Sequence, residues 1–290
     1  MDTVIHAERY TSPFAYHGEG PFWDWRRERL MCVDVLSASV VEILSPDDLK
    51  INTVPGGAAT VVRRRAGAGF VIGGEREIFL TDDDLLDFRS LATLTTDLAI
   101  RSNDGGCDPL GNLIIGTMAY DESPGKGSLY RVTPNGNVTT LISSISISNG
   151  VQWSRDGSRV FYIDTPTRRV DVFDVDDRSG SWSRRRPHIR VDDEAGFPDG
   201  MAIDENDGLW VAMWGGASIN HYDDSGVLVD VVTVPGVSQV SSCAFGGSDM
   251  DRLFITTSRK NLDDSTEPDA GAVFAADVSV RGARITDFGG

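Results

Sequence analysis

A chain of 290 residues, 40% hydrophobic and 24% charged, can bury roughly three quarters of its unfolded surface. Its formal net charge of −17 repels phosphate backbones and anionic headgroups, which excludes nucleic acid and acidic membranes as partners. Cys32, Cys107 and Cys243 are odd in number, far apart and without a CxxC pair, which excludes a disulfide framework or zinc knuckle and predicts buried free thiols.

Taken in chain order, the first ten residues carry no basic segment followed by an apolar one, and no stretch approaches a membrane span. A cytoplasmic protein is therefore expected. Residues 3–10 are expected to supply the outer strand of the last repeat. The first unit has Pro21-Phe22-Trp23-Asp24, a charged turn over 26–29, then Leu30-Met31-Cys32-Val33-Asp34. The second runs through the Gly67 to Gly69 turn into Phe70-Val71-Ile72-Gly73-Gly74. The next three share one grammar of a polar residue, a Gly-containing turn and an apolar strand. Asn103-Asp104-Gly105 leads to Leu113-Ile114-Ile115, Asn149-Gly150 to Val160-Phe161-Tyr162-Ile163-Asp164, and Asp199-Gly200 to Leu209-Trp210-Val211. The sixth has Ser242-Cys243-Ala244-Phe245 and Leu253-Phe254-Ile255.

The first large apolar residues after the turns, Leu30, Phe70, Leu113, Val160, Leu209 and Leu253, are spaced by 40, 43, 47, 49 and 44 residues. Periods of that size, with several short strands each, predict an all-β, six-bladed β-propeller filling residues 1–290 as one domain. No window shows helical apolar periodicity over three turns. The Arg runs at 63–65 and 184–186 are expected on exposed turns or edge strands, where charge blocks pairing with other sheets.

In a closed ring, equivalent points of each repeat meet at the axis. Those points are Glu19, Asn103, Asn149 and Asp199, with Ser242 at the sixth, just before the innermost strands. An all-oxygen set without Cys or His suits a hard divalent cation such as Ca²⁺, Mg²⁺ or Mn²⁺ in a central channel. His17 precedes Glu19 by two residues and is placed to approach the channel mouth, where a lone histidine is expected to be a surface or packing residue rather than a catalytic one. Phe22 and Trp214 either line the pocket or pack between blades. The chain has no Gly-x-Ser-x-Gly elbow, no phosphate-binding GxxxxGK[ST] loop and no HExxH pair.

Gly18-Glu19-Gly20-Pro21, Arg101-Ser102-Asn103-Asp104-Gly105, Gly116-Thr117-Met118, Ser148-Asn149-Gly150, Pro198-Asp199-Gly200, Leu209-Trp210-Val211-Ala212 and Ser242-Cys243-Ala244-Phe245-Gly246-Gly247 together resemble the SMP-30/gluconolactonase family, whose members include regucalcin and bacterial sugar lactonases. The resemblance runs from about Glu19 to Phe274. It implies a six-bladed propeller that hydrolyses a sugar lactone (an aldono-1,4- or 1,5-lactone) to the aldonic acid with one divalent metal ion (Ca²⁺, Mn²⁺, Mg²⁺ or Zn²⁺). Carried over by position, Glu19, Asn149 and Asp199 resemble the metal ligands, and Arg101 and Asn103 the substrate contacts. Tyr120 stands where regucalcin-like members carry a substrate-contacting Glu, with Asp121 or Glu122 as the replacement carboxylate. Asp199 is the expected general base. The alternatives are a related propeller hydrolase of phosphotriesters or other esters, or a non-catalytic calcium-binding regulatory propeller. The oligomeric state is open.

Overall fold

Each repeat folds into an antiparallel meander because its apolar runs are short and its turns carry residues that accept a positive φ. Gly111, Gly157 and Asp207 have φ of 80°, 71° and 64°, and each closes the turn between the first two strands of its repeat. Asp108, Ser154 and Asp204 open these turns with paired backbone bonds, such as Gly157 N to Ser154 O at 2.8 Å and Ser154 N to Arg159 O at 3.1 Å.

The computed structural model describes residues 3–263 and 265–289. Six sheets follow one another along the chain. Their innermost strands are Gly18–Asp24, Ala59–Arg64, Ile100–Cys107, Ser148–Trp153, Phe197–Ile203 and Val240–Gly246. Their second strands, Arg29–Asp34, Phe70–Gly74, Leu113–Ala119, Arg159–Asp164, Leu209–Trp214 and Arg252–Thr257, are almost wholly buried. Such strands pack on both faces, which is why they read as unbroken apolar runs. The six aligned residues pair in equivalent register, as in Trp23 with Leu30, Cys107 with Leu113, Trp153 with Val160 and Phe245 with Leu253.

Six hydrophobic clusters occur among the described residues, each joining two neighbouring sheets. One unites Leu30, Cys32 and Val41 of the first with Phe254, Val273 and Ala275 of the sixth. That contact closes the ring: the chain is an all-β, six-bladed propeller. Among the described residues only two 3₁₀ turns, Thr165–Thr167 and Asp193–Ala195, interrupt the strands, and no helix is long and apolar enough to cross a membrane. Cys32, Cys107 and Cys243 are free and buried.

Two expectations need correction. Residues 3–10 do not all complete the last blade. Glu8–Arg9 pair with Phe274 and Ala275 of blade six, whereas Thr3–His6 run parallel to Leu228–Thr233 as a fifth strand of blade five. The Arg run at 63–65 lies on a sheet edge, but on the inner one that faces the axis rather than an exposed one. Arg63 and Arg64 lie in the innermost strand of blade two, and Arg64, 2% exposed, bonds the fully buried Asp24 of blade one, with Nε 3.2 Å from Oδ1. The Arg run at 184–186 does lie on an outermost strand, Trp182–Arg190. Truncation at Arg64 leaves Asp24 buried with a weaker partner, Arg27 at 3.9 Å. Arg64→Met should therefore lower unfolding free energy by about 3–5 kcal/mol, read from urea melts.

Blade five carries a second buried polar cluster. Trp210 stacks on His221 with ring centres 4.0 Å apart and donates to Asp204 Oδ2 at 3.0 Å. His221 contacts Asp204 Oδ2 at 3.1 Å and Asp230 Oδ2 at 2.9 Å. Burial alone would depress the His221 pKa, but the bonds to Asp204 and Asp230 outweigh it and hold the pKa above 6.5. Burial pushes Asp204 up, but bonds from His221, Trp210 and two backbone amides hold it below 3.8. The His221 contribution is complete below its unfolded pKa and is lost as pH rises through the higher folded value. The Asp204 contribution is lost as pH falls through its lowered one. His221→Gln should therefore be most destabilising near about pH 5.5 and least near about pH 9, as a difference in urea midpoints.

Candidate active site at the hub

The predicted hub residues sit inside the innermost strands, at β-bulges, rather than just before them. Register breaks between Glu19 and Phe22, Ser102 and Gly105, Asn149 and Val151, and Pro198 and Met201. A bulge sets extra residues opposite one partner and re-aims their side chains, here toward the axis. The strand entries are fixed by acids ending the second strands. Asp34 accepts from Tyr16 N and His17 N at 2.9 and 3.0 Å, and Asp164 accepts from Ile147 N at 3.0 Å. Gly200 is required by close approach, since a Cβ there would lie 2.1 Å from Ser242 Oγ. Ser242 itself packs on that glycine, so blade six brings no acid or amide to this level.

A directed chain of hydrogen bonds orients the two amides. Arg101, buried, donates from Nη1 to Asn103 Oδ1 at 2.6 Å. Asn103 Nδ2 donates to Asn149 Oδ1 and Ser148 O, both at 2.8 Å. Asn149 Nδ2 donates to Thr165 Oγ1 at 2.7 Å, and that hydroxyl donates to Pro198 O at 2.9 Å. The chain therefore crosses from blade three to blade five and ends beside Asp199.

The carboxylates are short of positive charge. Burial, then the charge of Asp104, pushes Glu19 up to about 8, although Gly20 N donates to its Oε2 at 2.9 Å. Burial, then Glu19 and Asp104, holds Asp199 well above the ordinary carboxylate range. Its Oδ1 is buried without a hydrogen-bond partner. Two desolvated acids, one with an orphaned oxygen, beside the Asn149 amide are the donor types a hard cation takes. The set fits one divalent ion, although no group of three His, Cys, Asp or Glu side chains suited to a metal occurs among the described residues.

Around this cluster, His17 is 6% exposed, 2.9 Å from Ser258 Oγ and edge-on to Trp214. Burial, then Arg101 and Lys260, depresses it to about 3, so it is a neutral packing residue. Trp214 thus belongs to the channel mouth, while Phe22 is buried between blades one and two. Tyr120 donates its hydroxyl to Glu75 Oε1 at 2.7 Å, with its ring centre 6.0 Å from the Arg101 guanidinium carbon. Asp121 turns back on its own loop, accepting from Ser123 N at 3.0 Å. Glu122 instead receives Lys260 Nζ at 2.8 Å. Sequence reasoning passed over Asp104, Thr165, Glu75 and Lys260. Asp104 alone left a signal, because it stands at the bulge position that is glycine in Glu19-Gly20, Asn149-Gly150 and Asp199-Gly200. At the opposite end of the channel a cavity of about 500 Å³ is lined by Arg63, Trp153, Arg155 and Arg284. Of the channel acids it reaches only Asp104.

Fold and cluster define a closed six-bladed propeller that gathers buried acids and amides at its hub. Residues 17–259 match the family model described as SMP-30/Gluconolactonase/LRE-like region, and the chain belongs to that family. It is 33% identical over 298 residues, covering 100% of the chain and 99% of its relative, to the Bacillus subtilis (strain 168) protein named "Putative sugar lactone lactonase YvrE". Regucalcin of Gallus gallus is 33% identical over 285 residues, with 94% and 95% of the two chains covered. The structure of a calcium-binding protein, regucalcin, from Agrobacterium tumefaciens str. C58 superposes with a TM-score of 0.92 at 28% identity, covering 99% of each chain.

Proposed function

We propose that this chain hydrolyses an aldono-1,4- or 1,5-lactone to its aldonic acid, with one divalent cation held by Glu19, Asn149 and Asp199. The observation that carries the reading is Asp199 Oδ1, buried, unpartnered and beside a second acid in a family whose relatives include named lactonases. A bound Ca²⁺, Mn²⁺, Mg²⁺ or Zn²⁺ supplies Lewis-acid polarisation of the lactone carbonyl and charge to balance the two acids. Asp199 takes the proton of the attacking water, a carboxylate at the site being within reach of it. Arg101, locked to Asn103, presents its remaining guanidinium N–H groups to the sugar hydroxyls, and Asn103 Oδ1 keeps a lone pair to accept from one, so the ring is oriented without reorganisation of the site. Glu122 meets the outer hydroxyls at the mouth. The ring alkoxide stays tethered to the product and is protonated by water.

A panel of aldonolactones, followed by acid release with and without EDTA, tests this. Release that stops with EDTA and returns with Mn²⁺ or Ca²⁺ is expected. Cleavage of a phosphotriester with no acid from any lactone would favour the related-hydrolase reading. The Agrobacterium relative's description as calcium-binding favours one further reading, calcium binding without turnover. That predicts a calcium titration with no acid release from the whole panel.

A further inference from the structure

The loops that follow the second strands lie at the end of the ring where the innermost strands begin, which is the end that holds Glu19, Asn149 and Asp199. Two of these loops touch. Glu122 stands between Leu113–Ala119 and Gly127–Val132 of blade three, and Lys260 between Arg252–Thr257 and Val273–Asp277 of blade six. The clusters join the blades in the order one to six and back to one, so blades three and six face each other across the axis. The 2.8 Å ion pair between Lys260 Nζ and Glu122 Oε1 therefore spans the channel mouth from wall to wall. We propose that this pair is a bridge over the substrate entrance that discriminates by size, admitting a single sugar ring and opposing lactones that carry a second glycosyl unit.

Both ends of the bridge are built in. Glu122 holds φ at +59°, a conformation that non-glycine residues rarely take, and its N donates to Ala119 O at 3.1 Å. Two residues earlier Tyr120 N donates to Ala99 O at 2.9 Å, and its hydroxyl reaches Glu75. On the other wall, Lys260 N donates to Ser258 Oγ at 3.1 Å and Lys260 O accepts from Gln239 Nε2 at 3.2 Å. The same Ser258 hydroxyl contacts His17, two residues from Glu19. Lys260 side-chain exposure is 22% and that of Glu122 is 50%. Ion pairs so exposed are weak, so the bridge parts on thermal energy and filters entry rather than sealing it.

The substrate part of this inference rests on the lactonase reading, and its test separates the two. The ratio of kcat/KM for a monosaccharide lactone over that for a glycosyl-substituted lactone is measured in wild type, Lys260→Met, Glu122→Gln and the charge-exchanged double variant Lys260→Glu/Glu122→Lys. Each single change should lower the ratio about 1.5-fold to fivefold, the range an exposed ion pair supplies, and the exchanged pair should restore it. Ratios that stay put in the single variants, or stay low in the exchanged pair, overturn the proposal. Hydrogen exchange of residues 120–126 needs no turnover. It should quicken in Lys260→Met and slow again in the exchanged pair, and unchanged exchange overturns the bridge whether or not lactone is cleaved. Coupled exchange in a protein that releases no acid would retire the lactonase reading and leave the bridge standing.

Discussion

Asp199→Asn is expected to lower lactone turnover by about 10² to 10⁴ with little change in fold. The side chain is buried and its Oδ1 has no partner, so an amide of the same shape breaks no structural hydrogen bond. It removes the proton acceptor and one of the two negative charges proposed to face the cation. The amide also escapes the burial cost of a charge and the repulsion from Glu19 and Asp104, which together raise the pKa of Asp199, so the variant should melt no lower than wild type. Turnover and thermal unfolding measured together separate this from a general structural defect. Wild-type turnover in a variant that still binds metal would remove Asp199 as the base.

Glu19→Gln should weaken divalent-ion affinity by at least about 10–100-fold, because even groups that merely support a ligand contribute that much. Glu19 is the right residue to probe because it brings a full charge from blade one. Asn149 brings only an amide dipole, already bonded to Asn103. With saturating metal, Glu19→Gln should recover much of its turnover, whereas Asp199→Asn should not. A calorimetric titration of both variants with Mn²⁺, set beside turnover at each metal concentration, checks the contrast.

The architecture was legible because the second strand of each blade is buried on both faces. Leu30, Phe70, Leu113, Val160, Leu209 and Leu253 therefore announce the period, whatever the variable outer strands do. The hub was legible for a related reason: Glu19, Asn103, Asn149 and Asp199 share one phase of that period, and a ring turns shared phase into proximity. What escaped depends on pairings between distant segments that no local pattern records. Arg64 is buried only because Asp24 of the neighbouring blade answers its charge. Thr3–His6 leave the last blade for the one before it through a parallel pairing that has no turn to mark it. Thr165 enters the amide chain from a 3₁₀ turn, and Lys260 reaches Glu122 from the far side of the axis. Neither stands in phase with the repeats.

We propose one divalent ion at the hub, held between Glu19, Asn149 and Asp199. Anomalous diffraction from a crystal soaked in Mn²⁺ tests it most directly. The predicted result is a single strong peak among those three side chains, absent from crystals of the Glu19→Gln/Asp199→Asn double variant. A hub without a peak in the wild-type crystal, or an ion bound only elsewhere on this acidic surface, would contradict it.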